Sequence, residues 1–178
     1  MADSLPALLT RWGFSWEGLR DNRRGEWWLL AQILLIVAQL LPPVPAPLRL
    51  GINWPLPLQL MGWSLLVIGL LLAMRAFWTL GASLTPLPEP MPGAALITSG
   101  SYGRCRHPLY QALLLCCLGM VVALGSLLHL VLLLALAVVL VSKARLEESR
   151  LLDVHPDYAV YRASTPAILP GVPGLDWR

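Results

Sequence analysis

Charge is scarce in this sequence. Only 13% of its 178 residues are Asp, Glu, Lys or Arg, against about a quarter in an ordinary soluble domain. So few charges exclude a disordered chain and leave no basic surface for binding a nucleic acid. Cysteine is rarer still, with Cys105, Cys116 and Cys117 alone. An odd count with two adjacent members fits neither a disulfide framework nor a zinc site, so no metal is expected. A cleavable signal peptide is not expected either. The first apolar run starts at Trp27, behind a charged segment, and no small-x-small cleavage site follows it. What is abundant is apolar: 57% of the residues are hydrophobic. A globule of this length cannot hide that much apolar surface from water. The expected class is an all-α integral membrane protein, one domain over residues 1–178.

The apolar residues fall into runs. Residues 1–26 carry Leu5, Leu8, Leu9, Trp12, Trp16 and Leu19 at helical spacing, with Arg11, Glu17 and Arg20 between them. That pattern predicts a helix lying in the headgroup plane. The first expected span, Trp27–Leu41, opens on paired tryptophans at the interface. It ends at Pro42-Pro43-Val44-Pro45-Ala46-Pro47, since proline cannot continue the hydrogen-bond ladder, and a rigid loop over 42–57 follows. The second span is about Leu58–Leu80, with Arg75 snorkelling near one end and Gly81 closing it. Residues 82–107 form the longest polar connection. From Leu109 to Val141 the chain is almost continuously apolar. One helix over that run would measure about 50 Å, too long for a single crossing of a ~30 Å core. Gly125-Ser126 near its middle predicts a helical hairpin over 109–141, with spans 109–123 and 127–141 and an exit through Lys143–Leu152. Residues 27–141 thus hold about four transmembrane helices, and 142–178 form a tail outside the bilayer.

The basic residues support this count. Eleven of the thirteen lysines and arginines lie in 1–26, 81–107 and the tail, and Arg49 alone lies in the loop between the first two spans. The positive-inside rule then makes both termini cytoplasmic. The polar groups able to do chemistry gather on that face. One stretch is Gly100-Ser101-Tyr102-Gly103-Arg104-Cys105-Arg106-His107-Pro108-Leu109-Tyr110, leading into the third span. Pro108 suits the first turn of a helix, and His107 and Tyr110, three residues apart, share one side of it. The other stretch is Lys143-Ala144-Arg145-Leu146-Glu147-Glu148, at the exit of the fourth span. Pairing the hairpin arms about residues 125–126 brings the two to one depth, with His107 opposite position 143 and Tyr102 opposite position 148.

Ser99-Gly100-Ser101-Tyr102, followed by Arg106-His107-Pro108-Leu109-Tyr110, resembles the motif of the isoprenylcysteine carboxyl methyltransferase family, which is related to the integral-membrane phospholipid N-methyltransferases. The run Glu147-Glu148, Leu151-Leu152, Tyr158, Tyr161 and Ile168-Leu169-Pro170 is similar to that family's C-terminal segment. Together these cover roughly residues 78–170. The resemblance implies a cytosol-facing pocket for S-adenosyl-L-methionine, capped by the C-terminal segment. It implies cofactor contacts from Leu96, Ile97, Tyr102, His107, Pro108, Leu109 and Tyr110, and from a carboxylate of Glu147 or Glu148. The family's acceptor-binding arginine falls on Lys143, with Arg145 close by. Lysine cannot copy arginine's bidentate grip on a carboxylate, which weighs against a prenylcysteine carboxylate as acceptor. His155-Pro156 is a second departure, where the family often has Phe-Gly.

The function expected is methyl transfer from S-adenosyl-L-methionine to a lipid-like acceptor drawn from the bilayer, with no nucleic acid and no metal involved. A carboxylate oxygen, an amine nitrogen or a thiol sulfur remains open as the acceptor atom. An isoprenylcysteine-type carboxylate is one reading, and a phospholipid or small-amine N-methyltransferase on the same scaffold is the alternative. A soluble methyltransferase would need a Gly-rich turn on a parallel sheet, and no G-x-G-x-x-G occurs. A reading of another class is a non-enzymatic haem-binding or transport protein using His107 and His129. Those histidines would have to meet, yet hairpin pairing sets His129 opposite about position 121. Tyr158 and Tyr161 are expected to pin the C-terminal cap to the body, and Cys116 and Cys117 to act as small apolar residues.

Overall fold

The computed structural model of the chain describes residues 16–22, 24–81, 85, 87–88 and 95–178. The described residues form helices and no strand. The helices are α1 (Trp16–Asp21), α2 (Glu26–Ala38), α3 (Leu56–Leu80), α4 (Pro108–Leu124), α5 (Leu127–Val154) and α6 (Tyr158–Ser164), with a 3-10 turn at Pro47–Leu50. Of the in-plane helix expected over 1–26, only α1 falls among the described residues; Leu5, Leu8, Leu9 and Trp12 lie outside them.

Prolines and glycines set the boundaries. The first expected span reached Leu41, but α2 stops at Ala38. Gln39, Leu40 and Leu41 donate instead to Ile36, Val37 and Ala38, three residues back. Pro42 pushes Leu41 out of the helical region, so the final turn tightens before the chain breaks. α3 begins at Leu56, two residues earlier than expected, because Pro57 sits in the first turn, where a missing N–H costs nothing. Gly125, in the left-handed region at φ 57°, ends α4. α5 then continues 28 residues, through Lys143–Leu152 as expected.

The helices pack in the order α2, α5, α4, α3. The closest seam joins α3 and α4, which run antiparallel. Gly62, Gly69 and Ala76, the buried residues of α3, recur every seven positions. A Cβ on Gly62 would stand 2.2 Å from Ala123 N, and one on Gly119 would stand 2.7 Å from Gly62 O. Gly69 meets Ala112 and Cys116 in the same way. Small residues at this spacing let two backbones touch, which is how helices gain contact where lipid competes for every leucine. α4 and α5 share a core of Tyr110, Leu114 and Cys117 against Leu136, Leu140 and Ala144, closed by Ala167 and Ile168 from the C-terminal segment.

The hairpin register differs from the expectation. His107 meets Glu148 rather than position 143, and Tyr110 meets Glu147. Side chains on both helices lean toward their own N-termini, so a facing spot is covered by a residue farther along each helix. Contact then falls on the next residue of the facing side, three or four positions on. At the opposite end, His129 is fully buried. Its Nε2 donates to the Gln39 carbonyl (3.1 Å), and its Nδ1 lies 2.9 Å from the Ser126 hydroxyl. It ties the end of α2 to the hairpin turn, one full helix away from His107.

α3 and α5 are long and apolar enough to cross a membrane, and only 11% and 28% of their most apolar windows are buried inside the protein. α2 and α4 are shorter apolar helices. The α3–α4 seam yields a test. Gly62→Leu should overpack it and cost about 1–3 kcal/mol, lowering the thermal midpoint in detergent. Leu60→Ala, at an exposed position on the same helix, should leave the midpoint nearly unchanged. Equal losses in the two variants would contradict the seam.

Candidate active site

The start of α4 is fixed by a short run of backbone. Arg106 and His107 donate their main-chain N–H groups to the carbonyls of Pro166 (2.9 Å) and Ala167 (3.0 Å). His107 is the N-cap of α4 and stays out of the helical region, as its place before Pro108 requires. The two side chains therefore project from a rigid junction between the 95–107 connection, α4 and the C-terminal segment.

Both reach Glu148. Arg106 grips it with Nε on Oε1 (2.8 Å) and Nη2 on Oε2 (3.2 Å). His107 Nε2 donates to Oε1 at 2.9 Å, and Trp177 Nε1 donates to Oε2 at 2.9 Å. Four donors fill the four lone-pair sites of one carboxylate. Arg106 is equally spent: its remaining N–H groups bind the carbonyls of Arg162, Thr165 and Trp177. Arg162 adds a longer ion pair at 3.6 Å. The Arg106–Glu148 pair is tolerable in a buried place because each donor of Arg106 and each lone pair of Glu148 has a partner. Glu148 lies beyond the apolar part of α5. Burial alone would raise its carboxyl, but the hydrogen bonds from His107 and Arg106 outweigh it and hold the group down at about 2.

Beside this hub is a cavity of about 330 Å³. α2 contributes Leu29 and Gln32, α3 contributes Ala73 and Leu80, and the connection contributes Leu96, Ile97 and Tyr102. His107, Leu109, Tyr110 and Leu113 line it from α4 and its cap, and Lys143, Glu147 and Leu151 from α5. His155, Tyr158 and Tyr161 close the remaining side. The His107 and Tyr110 rings stack at 5.2 Å and 4°. Tyr110 donates its hydroxyl to Glu147 Oε1, and His107 Nδ1 lies 3.5 Å from Glu147 Oε2. Lys143 Nζ donates to Gln32 Oε1 (2.9 Å), lies 3.9 Å from Glu147 and stands over the Tyr110 ring at 5.4 Å. Burial, and then the nearby Glu147 charge, push the Tyr102 phenol above its usual range, so it remains a neutral donor.

Of the residues singled out by sequence, Leu96, Ile97, Tyr102, His107, Leu109, Tyr110, Lys143 and Glu147 come together on this cavity. Pro108 stays in the helix start. Glu148 is turned into the interior hub. Arg145 is exposed, with its guanidinium 5.2 Å from the Trp177 ring. Gln32, Arg106 and Trp177 escaped sequence reasoning. Gln32 is the lone amide in the apolar part of α2, a visible signal without an obvious partner. Arg106 stands inside the quoted motif but reads there as one more basic residue. Tyr161 pins the tail as expected, donating to the Tyr102 carbonyl at 2.6 Å, whereas the Tyr158 hydroxyl makes no such bond.

A family model described as phospholipid methyltransferase matches residues 58–156. The chain belongs to this family. The matched stretch runs from the start of α3 to the end of α5, and so contains most of the cavity wall. With two helices apolar enough to cross a bilayer, membership marks a membrane protein and implies methyltransferase chemistry in general. The cobalt-zinc-cadmium resistance protein CzcN of Cupriavidus metallidurans is 42% identical over 76 residues, covering 42% of this chain and 35% of that protein. The match thus spans about a third of that curated relative. No solved structure matches the chain. Among the described residues, no group of His, Cys, Asp and Glu side chains is arranged to hold a metal ion.

The hub predicts an acid response. The folded value of Glu148 is below an unfolded value of about 4.3. Its stabilisation is therefore complete above about pH 5 and is lost as the pH falls toward 2. Glu148→Gln should cost about 3–5 kcal/mol at neutral pH by leaving Arg106 buried without its charge partner, and should flatten the acid limb of a stability–pH curve. A variant as stable as the parent at pH 7 would contradict the hub.

Proposed function

We propose that this family member is a four-span membrane methyltransferase that takes its methyl group from S-adenosyl-L-methionine and passes it to a lipid-like acceptor. The observation that carries the reading is the convergence of Leu96, Ile97, Tyr102, His107, Tyr110 and Glu147 on one cavity. Its volume falls within the range of about 300–1,000 Å³ usual for small-molecule sites. Two kinds of group that such a ligand needs are present: a carboxylate for an amino group or ribose hydroxyls, and electron-rich rings for a cation. In this reading α2 to α5 each cross the bilayer, both termini and the cavity face the cytoplasm, and the 155–177 segment caps the site.

Bound there, S-adenosyl-L-methionine supplies an electrophilic methyl group on a sulfonium. Glu147 is the carboxylate we assign to it, because Glu148 has no lone pair free for a ligand. Tyr102 and Tyr110 offer ring faces, and Leu96, Ile97 and Leu109 exclude water. His107, clamped by Glu148 and stacked on Tyr110, holds the wall in place. Pro108 sets the helix start from which these side chains project. Lys143 and Gln32 sit where apolar Leu29, Ala73 and Leu113 also line the cavity, and we assign them to the acceptor's head. Arg145 would reach an acceptor only from the outer rim. A carboxylate or thiolate acceptor then needs only positioning. An amine must also lose a proton, for which Glu147 or His107 is within the same wall. The lipid-amine version is the second reading, favoured by the family's own description and by Lys143, which cannot give a carboxylate the bidentate grip of an arginine.

Calorimetry of the detergent-purified protein with S-adenosylhomocysteine should show saturable binding, weakened about tenfold or more by His107→Ala and by Glu147→Ala, as expected for hydrogen bonds to charged groups. Absence of binding at millimolar ligand would sink the reading. Transfer of labelled methyl from the donor to a total lipid extract, run beside a farnesylcysteine analogue, should separate the acceptor classes. Label confined to the analogue would reject the lipid amine.

A further inference from the structure

One buried polar atom on the cavity has no hydrogen-bond partner among the described residues. Tyr158 opens α6, is 1% exposed, and lines the cavity. Its hydroxyl is that atom. Its ring is held in place: it meets Tyr161 edge-on at 5.8 Å and 70°, and Tyr161 is itself tied to the Tyr102 carbonyl. A buried tyrosine hydroxyl normally finds a partner, and an unpaired one carries a desolvation cost that phenylalanine would avoid. The hydroxyl is therefore explained by a ligand rather than by the fold.

Its position says which part of a ligand. Lys143, Gln32 and Glu147 gather ionic and amide groups where α2 meets α5, and Arg106, also on the wall, has all its donors taken by the hub. α5 ends at Val154, and Tyr158 opens the next helix, set beside Tyr161 and through it beside Tyr102. This side presents the rings of Tyr158, Tyr161 and Tyr102; the Tyr161 hydroxyl is spent on the Tyr102 carbonyl, and the Tyr158 hydroxyl is a neutral donor left over. A purine matches this side: it is flat, uncharged, and carries ring nitrogens that accept hydrogen bonds. We propose that Tyr158 binds the adenine of the methyl donor by donating its hydroxyl to a ring nitrogen. This rests on the preceding reading of the cavity as the S-adenosyl-L-methionine site. Burial, and then the Glu148 charge, push the phenol well above its usual range, so the group stays a donor at any working pH.

Tyr158→Phe tests this without disturbing shape. The affinity for S-adenosylhomocysteine, read by calorimetry, should fall about fivefold, the loss of one neutral hydrogen bond. Among the 1-, 3- and 7-deaza analogues of that ligand, one should bind parent and variant equally, because its missing nitrogen is the partner. The thermal midpoint of the ligand-free variant should equal or exceed that of the parent. Unchanged affinity for S-adenosylhomocysteine would overturn the proposal, above all if label transfer to the acceptor slowed instead. A ligand-free variant that melts several degrees lower would also overturn it, because the hydroxyl would then have a partner within the protein. If the parent itself bound no S-adenosylhomocysteine, the reading of the cavity would fall first and this assignment with it.

Discussion

One buried carboxylate holds one end of the helix bundle together. Glu148 accepts from Arg106, His107 and Trp177 at once, and so joins the start of α4, the middle of the polar part of α5 and the last residues of the chain. Arg106 extends the same join to three backbone carbonyls of the 162–177 segment. The cavity walls from α4, α5 and the C-terminal segment meet at this junction. The hub orients His107, the C-terminal segment brings α6 with it, and α6 carries Tyr158 and Tyr161. A charged pair is expensive to bury, and it is tolerable here because each donor and each lone pair has a partner. The saturation has a chemical consequence as well: among the described residues the neighbouring Glu147 is bound by Tyr110 and approached by His107 and Lys143, and it is the carboxylate we assign to the ligand.

The helix bundle meets a different constraint. Apolar side chains gain little by leaving lipid for one another, so close backbone contact has to do the packing. The seven-residue repeat of Gly62, Gly69 and Ala76 supplies it along α3. Because α4 lies against that stripe, the 95–107 connection between the two helices is drawn over the end of the bundle, where Leu96, Ile97 and Tyr102 close the cavity. The far end is tied separately, by His129 to Gln39 and Ser126 and by Trp54 to the Val122 carbonyl. The two ends do different work: one fixes the hairpin, and the other builds the site.

Much of the site was legible because its signals are local. His107-Pro108 marks a helix start, Gly125-Ser126 marks a turn, and the two together bring position 107 to the depth of the 143–148 stretch. The remainder depends on relations that a linear pattern does not carry. Glu147 and Glu148 are neighbours in sequence, but consecutive residues on a helix point about 100° apart, and only the packing decides which faces the cavity. The pairing of Gln32 with Lys143 joins the first and last long helices. The role of Arg106 requires knowing that residues 162–177 fold back beneath it. His129 showed no partner in the sequence because its partners are a backbone carbonyl ninety residues away and a serine of its own turn.

The most direct test of the central claim is photo-crosslinking with methyl-tritiated S-adenosylmethionine, followed by peptide mapping of the labelled chain. The account predicts label on the 96–110 and 147–161 peptides, displaced by excess S-adenosylhomocysteine. Label on the α2–α3 loop or the hairpin turn, or label that excess S-adenosylhomocysteine does not displace, would contradict it.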